Sequence, residues 1–277
     1  MTASIDICAL CPSLCRHKCP VAVGTGIEST TPTAIFSAIW SAQAHGQHVD
    51  LAERAVDLCT QCGHCEDACG VNQPVLALLA EARTSLQAAP KPWFAPQIKG
   101  RAKTVAVICT EGDWSGDIAQ VTGRSIASLV TSDHLGELHR ARLDTADGVL
   151  ESLSERFRGR TAITACHTCA EALEAASIAV EALDSLIPRR PSVATWRSCR
   201  CLPAPGVNTV QRCCGARGPM STSHPVLADS MAAALVRRLD GNAIYTPDAR
   251  CAEHLQRAGA NVTSPVSLLA NATKAEE

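Results

Sequence analysis

The spacing of apolar and polar residues predicts helices in the first third of the chain. A mainly apolar run over 31–43 begins with Thr-Pro, and proline is favoured at the first position of a helix. Asp50 is placed to cap a second helix over 51–59, because its carboxylate can accept backbone N–H groups of the first turn. A third helical run, over 74–86, also begins with proline.

From residue 97 the pattern changes to short apolar runs that alternate with helical ones. Buried strands are predicted at 104–109, 161–165, 193–196 and 243–246. A helix is predicted at 171–186, and strands that alternate with helices favour an α/β domain with a mainly parallel sheet. Residues 90–96 contain three prolines and predict a linker, because proline continues neither a helix nor a sheet ladder.

We therefore expect an α+β protein whose C-terminal part is duplicated. Its expected parts are a mostly helical domain at 1–89, the linker at 90–96 and an α/β domain at 97–277 with halves at about 97–188 and 189–277. A weak internal repeat supports the duplication. Residues 163–173 align with residues 245–255 over a shared Thr-x-[Cys/Asp]-x-x-Cys-Ala-Glu-x-Leu pattern.

Composition argues against several classes of function. Of the 277 residues, 46% are hydrophobic, which is enough to bury a core, while the net charge of −2 lacks the basic face that nucleic-acid binding needs. The longest uncharged stretch, 29–49, contains Pro32, Gly46 and two histidines and is too polar to span a bilayer. With no secretory signal, we expect a cytoplasmic protein that meets the membrane only through a partner.

The chain has sixteen cysteines, and without export structural disulfides are not expected. Eight of them form two tight groups, Cys8-x2-Cys11-x3-Cys15-x3-Cys19 and Cys59-x2-Cys62-x2-Cys65-x3-Cys69. Such loops hold three corners of an iron–sulfur cluster, and in two-cluster ferredoxins the fourth thiolate comes from the other group. Two crossed [4Fe–4S] ligand sets are therefore predicted: Cys8, Cys11, Cys15 and Cys69 for one cluster, and Cys59, Cys62, Cys65 and Cys19 for the other.

Zinc is the alternative occupant of these cysteine groups. A structural zinc site usually takes two thiolates from each of two separated C-x-x-C loops. Here four cysteines lie within 11 or 12 residues in each group, which favours a ferredoxin-like domain. The groups depart from the usual pattern in one extra residue before Cys15 and in Gly70, which stands where proline follows the fourth cysteine.

With these motifs, the proline linker and a duplicated domain that carries Cys213-Cys214-Gly215, the chain resembles the iron–sulfur proteins of the heterodisulfide reductase family. It is also similar to the iron–sulfur protein of anaerobic glycerol-3-phosphate dehydrogenase and to lactate-utilisation iron–sulfur proteins. The resemblance covers nearly the whole chain and is most specific at 8–69 and 213–218. In that family each half of the C-terminal, cysteine-rich (CCG) domain supplies an upstream Cys, a Cys-Cys-Gly and a downstream C-x-x-C to an unusual iron–sulfur cluster.

The resemblance implies a third iron–sulfur site in the second half. Its candidate metal ligands are Cys199, Cys213, Cys214 and Cys251. Asp248 stands where the family has the first cysteine of the downstream motif, and a carboxylate suits iron less well than a thiolate. Two interpretations therefore remain: a third cluster bound at this site, or a docking module with relic cysteines.

The first half keeps three cysteines of the family pattern, Cys109, Cys166 and Cys169, but has lost its Cys-Cys-Gly. His134 stands at one of the lost positions, so a Cys3His zinc site is one interpretation. The other is that these cysteines pack as small apolar side chains. Cys201 has no assigned role.

The resemblance also implies a function, with no catalytic residue assigned to this chain. The expected function is an electron-transfer subunit between an FAD-linked dehydrogenase or electron-transfer flavoprotein and a downstream acceptor, either a membrane quinone-reducing module or another iron–sulfur protein. The alternative is a heterodisulfide or thiol–disulfide reductase subunit that acts at the CCG half, with Cys166-x-x-Cys169 as a further candidate dithiol. A redox sensor or an assembly scaffold is a third interpretation.

Overall fold

The structure is a computed structural model that describes residues 4–12, 14–86, 97–110, 112–131, 146–187, 194–197, 209–211, 213–216, 218 and 220–274. The chain divides into two units. The first unit combines Met1–Pro90 with Arg212–Gly241, and the second combines Lys91–Gln211 with Asn242–Glu277. The predicted mixed α+β fold with a helical N-terminal region is confirmed. The predicted linker at 90–96 lies outside the described residues.

Short helices joined by tight turns form the N-terminal part of the first unit. The α-helices are Ile5–Leu10, Pro20–Thr25, Pro32–His45, Val49–Ala55, His64–Asp67 and Val75–Leu86, with 3-10 turns at Leu14–His17, Glu28–Thr30 and Val56–Leu58. The helices predicted at 31–43 and 74–86 are confirmed, and the Thr31 hydroxyl caps the first by accepting the Ala34 N–H at 3.2 Å.

The helix predicted over 51–59 begins and ends earlier than expected. His48, in a left-handed conformation with φ 56°, stands at its N-cap, and Asp50 lies in the first turn, where it pairs with the exposed Arg54 at 3.0 Å. The Asp50 cap prediction was therefore wrong. The last turn tightens into a 3-10 turn, which leaves Cys59 in extended backbone at the start of its loop.

Residues Arg212–Gly241, which we call the returning segment, pack on this helical part although they lie far along the chain. The segment contains the helices Met220–Ser223 and Pro225–Leu239, and the longer one lies against the helix Pro20–Thr25. The contact is close, because a Cβ added at Gly24 would lie 3.1 Å from the Met231 Cγ. Small or flexible side chains on the inner face make this approach possible.

The described residues of the second unit form two parallel sheets of four strands each. The strands are β1 (Thr104–Ile108), β2 (Ile126–Val130), β3 (Thr161–Thr164), β4 (Val180–Ala182), β5 (Ala194–Arg197), β6 (Thr209–Gln211), β7 (Ile244–Tyr245) and β8 (Val262–Thr263). The sheet orders are β2-β1-β3-β4 and β6-β5-β7-β8, with parallel pairing throughout the named strands. Strands β1, β3, β5 and β7 were predicted, and the other four were not.

Helices connect the strands of the second unit. They are Ser115–Thr122, Ala146–Arg156, His167–Ala175, Leu183–Leu186, Ala249–Arg257 and Pro265–Lys274. The continuous helix predicted over 171–186 was wrong. Ser177 takes a left-handed φ of 59°, and the chain then pairs with β3 as β4, where the branched Val180 suits a strand.

The two sheets share one strand order, as a duplicated unit requires. The turns after β3 and β7 are equivalent, since Cys166 and Asp248 each occupy the N-cap of the helix that follows. These turns also contact each other: the Ala249 N–H donates to the Ala165 carbonyl at 2.9 Å, and the His167 N–H donates to Asp248 Oδ2 at 3.1 Å. The sequence alignment of Cys166 with Asp248 thus corresponds to a shared structural position.

Candidate metal centre

The first cysteine set lines a cavity of about 270 Å³ in the first unit. Its four predicted ligands, Cys8, Cys11, Cys15 and Cys69, all border this cavity together with uncharged residues. The thiols face one another closely enough to interact, because burial, then Cys69, Cys15 and Cys11, raise the pKa of Cys8 to about 11. The structure therefore brings Cys69 to the group that lies far earlier in the chain.

The second cysteine set lines a smaller cavity of about 30 Å³. Its lining includes Cys19, Cys59, Cys62 and Cys65, the other predicted crossed set. Burial and then repulsion by Cys59, Cys62 and Cys19 raise the pKa of Cys65 well above its usual range. The side chain of Phe36 borders both cavities, so the two sites share a wall.

The local backbone conformation positions these thiols. Gln61 (φ 56°) and Gly63 (φ 82°) turn the second loop through left-handed conformations. In this loop the Gln61 N–H donates to Cys59 Sγ at 3.2 Å. In the first set the Gln73 N–H donates to Cys69 Sγ at 3.3 Å. Backbone N–H donors to cysteine sulfur are one of the means by which proteins adjust iron–sulfur clusters.

The donor chemistry of the two sites fits iron–sulfur clusters. Each cavity is bordered by four sulfur ligands of one predicted set, and burial together with repulsion by neighbouring thiolates raises the pKa of Cys8 and of Cys65. A bound cationic metal core removes that repulsion, since thiolates are the ligating form. Two cavities are thus each bordered by the four cysteines of one predicted set, and Cys65 borders both.

A buried arginine lies behind the second set, and no pattern in the sequence pointed to it. Arg83 is 3% exposed, its Nη2 donates to the Val56 carbonyl at 2.5 Å, and its Nε lies 3.8 Å from Asp57 Oδ1. Burial lowers the pKa of Arg83, and the charges of Cys59 and then Asp57 oppose that shift. The Nε and Nη1 atoms have no hydrogen-bond partner among the described residues.

The returning segment covers the loop of the second set. A Cβ added at Gly218 (φ 78°) would lie 2.9 Å from the Thr60 carbonyl carbon and 3.0 Å from the Cys59 oxygen, so the two backbones are in direct contact. Ser223 Oγ also donates to Asp57 Oδ2 at 3.1 Å. The segment therefore touches the cysteine loop and the acidic partner of Arg83.

The four cysteines predicted for a third cluster are distributed differently from the first two sets. Cys213 and Cys214 belong to the first unit and are 2% and 1% exposed. Cys251 belongs to the second unit, where its N–H donates to Asp248 Oδ1 at 3.0 Å. Cys199 lies outside the described residues, as do Cys201 and His134. The third cluster stays a prediction.

Three cysteines of the second unit form a separate thiol cluster. The sulfur atoms of Cys109, Cys166 and Cys169 all lie within 4.8 Å of one another, where β1 and β3 end and a helix begins. Hydrogen bonds with Cys166 and Cys169 are the main cause of a raised pKa at Cys109. Three thiols at such distances are compatible with a metal ion, and the Cys3His zinc hypothesis stays a prediction because His134 is outside the described residues.

Comparison with known families agrees with the chemistry of the N-terminal sites. Residues 4–72 match the family model of the 4Fe-4S dicluster domain, and this match spans both cysteine groups. No curated protein and no solved structure matched the chain. The match and the cysteine groups together support iron–sulfur cluster binding and an electron-transfer role. Among the described helices, none has the length and apolar character needed to cross a membrane.

Proposed function

We propose that this protein is the iron–sulfur electron-transfer subunit of an oxidoreductase complex and binds two [4Fe–4S] clusters through crossed ligand sets. One observation carries the proposal: each of two neighbouring cavities is bordered by the four cysteines of one crossed set, and Cys65 borders both cavities. That is the arrangement expected of two-cluster ferredoxins. It occurs within the residues that match the dicluster family model.

The side chains of the first unit hold two redox groups close together in a mainly apolar setting. When bound, a [4Fe–4S] cluster supplies one-electron redox chemistry. Phe36, which is 1% exposed, borders both cavities and is an apolar part of the wall that they share. The Gln61 and Gln73 N–H groups direct positive dipoles at sulfur, which favours added negative charge. These features suit one-electron relay better than chemistry on an organic substrate.

We further propose an FAD-linked dehydrogenase or an electron-transfer flavoprotein as the donor. The acceptor would be a quinone-reducing membrane module or another iron–sulfur protein. Support for this partner class comes from the resemblance of residues 8–69 and 213–218 to iron–sulfur proteins that work in such complexes. Co-purification of the tagged chain from anaerobic extracts, followed by a flavin assay, tests the donor. A donor without flavin would overturn this part of the proposal alone.

The alternative function, disulfide reduction at the Cys-Cys-Gly, is less well supported. A disulfide substrate must reach the attacking sulfur, because thiol–disulfide exchange requires access. Cys213 and Cys214, which belong to the first unit, are 2% and 1% exposed, so both residues are almost fully buried. Electron relay needs no such access, since only electrons have to reach the clusters.

Iron and sulfide analysis tests the proposed clusters. Anaerobically reconstituted protein is expected to contain about eight iron and eight sulfide per chain, because two four-sulfur sites are proposed. Stoichiometric zinc without sulfide would rule the function out.

Serine substitutions test which cysteines belong together. Cys69→Ser is expected to impair the first-set cluster and Cys19→Ser the second-set cluster, so their EPR spectra should retain different signals. Cys201→Ser, at a cysteine with no assigned role, serves as the matched control and should retain both signals. If Cys69→Ser impaired the cluster of Cys59, Cys62 and Cys65 instead, the crossed assignment would be incorrect.

A further inference from the structure

Arg83 is a buried cation with too few partners. An arginine keeps its charge in proteins, and burying a charge is costly unless it is paired and hydrogen-bonded. Its Nη2 binds the Val56 carbonyl, while its only described ion pair is a 3.8 Å contact with Asp57. Two guanidinium nitrogens have no hydrogen-bond partner among the described residues. The structure as it stands therefore leaves this positive charge incompletely balanced.

The position of Arg83 indicates which negative group balances it. On the helix Val75–Leu86, Val75 borders both cavities and Leu79 only the second, and Arg83 follows Leu79 four residues later on the same face. The guanidinium holds the carbonyl of Val56, which begins the 3-10 turn that leads into Cys59. The buried charge thus lies against the segment that supplies a ligand of the second site.

Among the described residues, Arg83 is the only buried arginine or lysine. Arg16, which follows Cys15 of the first set, is 45% exposed and paired with Glu28. Near the second site, Glu66 acts on Cys65 in the opposite direction, but its carboxylate is half-buried and accepts the Leu76 N–H at 2.8 Å. Solvent screens exposed charges more strongly than buried ones. The charge of Arg83, which is 3% exposed, is therefore screened less than that of Glu66.

We propose that Arg83 raises the reduction potential of the cluster held by Cys19, Cys59, Cys62 and Cys65 above that of the cluster held by Cys8, Cys11, Cys15 and Cys69. This inference rests on the proposed two-cluster function. One-electron reduction adds one negative charge to a site, and a nearby buried cation stabilises that charge. When one electron passes from the first site to the second, the first is oxidised and the second is reduced, with no proton required.

The returning segment takes part in this arrangement. Ser223 Oγ donates to Asp57 Oδ2, and Asp57 is the acidic partner of Arg83. The aspartate partly offsets the arginine charge and is 20% exposed, so its effect is the smaller of the two. Arg83 and Asp57 therefore act on the second site with opposite signs.

Redox titration of the full-length, two-cluster protein, followed by EPR, tests the inference. Arg83→Gln should make one-electron reduction of the second cluster about tenfold less favourable, a fall of about 59 mV, because the cation is lost. Arg83→Lys should retain most of the wild-type potential. Asp57→Asn should shift the same potential upward by a smaller amount. In every variant the first cluster is the internal reference and should not shift.

Arg54→Gln provides the matched control. Arg54 is also an arginine paired with an aspartate, but its side chain is 69% exposed and its charge is screened by water. It should leave both potentials unchanged.

The outcomes separate the inference from the function on which it rests. An unchanged second potential in Arg83→Gln, or an equal shift of both clusters, would overturn the inference and leave the two-cluster function intact. If Arg83→Gln loses the second cluster, the potentials of that cluster in Arg83→Lys and Asp57→Asn test the inference instead. An unchanged or lowered potential of the second cluster in Asp57→Asn would overturn it. A wild-type protein without sulfide would overturn the function and the inference together.

Discussion

The two cysteine sites have nearly the same spacing in sequence and differ in their surroundings. The first site borders a cavity of about 270 Å³, and all four of its cysteines are partly exposed. The second borders about 30 Å³, buries Cys62 and Cys65, and lies beneath the returning segment with Arg83 behind it. Motif spacing therefore specifies which ligands meet, whereas distant parts of the chain specify how open and how charged each site is.

The largest expected difference between the sites is their resistance to iron loss. An iron chelator should remove the first cluster well before the second, because the first cavity is wider and its ligands more exposed. Two phases of bleaching are expected in wild-type protein. The fast phase should be absent from Cys69→Ser and retained in Cys19→Ser. A single phase in wild-type protein would mean that the sites are equally accessible.

The apolar wall of the second site should contribute strongly to stability. Leu79 is 1% exposed and borders only the second cavity, so Leu79→Ala should lower the free energy of unfolding by about 3 kcal/mol through a cavity. Leu51→Ala, at a residue 50% exposed, should change it by about 0.5 kcal/mol or less. Denaturant unfolding of both variants measures the contrast. Equal losses of unfolding free energy in the two variants would show that the buried Leu79 stabilises the protein no more than the exposed Leu51 does.

The contact between the returning segment and the second loop can be weakened at one glycine. Gly218→Ala should cost about 2 kcal/mol, because it adds left-handed strain and a clash with the Thr60 backbone. Gly46→Ala has similar strain (φ 63°) but open space around the added atom, and should cost about 1 kcal/mol. Gly218→Ala should also speed oxygen bleaching of the second cluster alone. Faster bleaching of both clusters would argue against a local cover.

The smallest effect on stability is expected where Ser223 of the returning segment contacts Asp57. Ser223→Ala removes the hydrogen bond to Asp57 and should lower the free energy of unfolding by about 1 kcal/mol. Ser230→Ala removes a hydrogen bond to Val226 within the same helical region and serves as control. Its effect should be smaller, because that bond joins residues of one helix and its acceptor is an uncharged carbonyl, whereas Ser223 donates to a carboxylate. A larger loss in Ser230→Ala would contradict the role assigned to Ser223.

Local signals in the sequence predicted those parts that depend on neighbouring residues. Proline at the start of a helix and a threonine cap located the helix Pro32–His45, and apolar runs located β1 and β3. The cap at Asp50 failed because His48 accepts a left-handed conformation two residues earlier. The predicted helix at 171–186 failed because Ser177 breaks it and pairing with β3 stabilises β4.

The parts that the sequence could not provide depend on contacts between residues far apart. Cys213 and Cys214 were grouped with Cys199 and Cys251 by resemblance, yet they lie in the first unit. Arg83 looks like any other arginine on a helix until the Val56 carbonyl and the second site are seen beside it. Neither spacing nor periodicity carries information about such contacts, because each depends on the packing of the whole unit.

The discontinuity of the first unit has a consequence for biosynthesis. Met231 packs on Gly24, so the ribosome must synthesise most of the second unit before the first can close. Until then the nascent chain exposes both cysteine loops to the cell's metal-delivery machinery. Arrival of the backbone at Gly218 would end that period for the second loop. The order of synthesis thus provides a natural interval for loading the more enclosed site before it is covered.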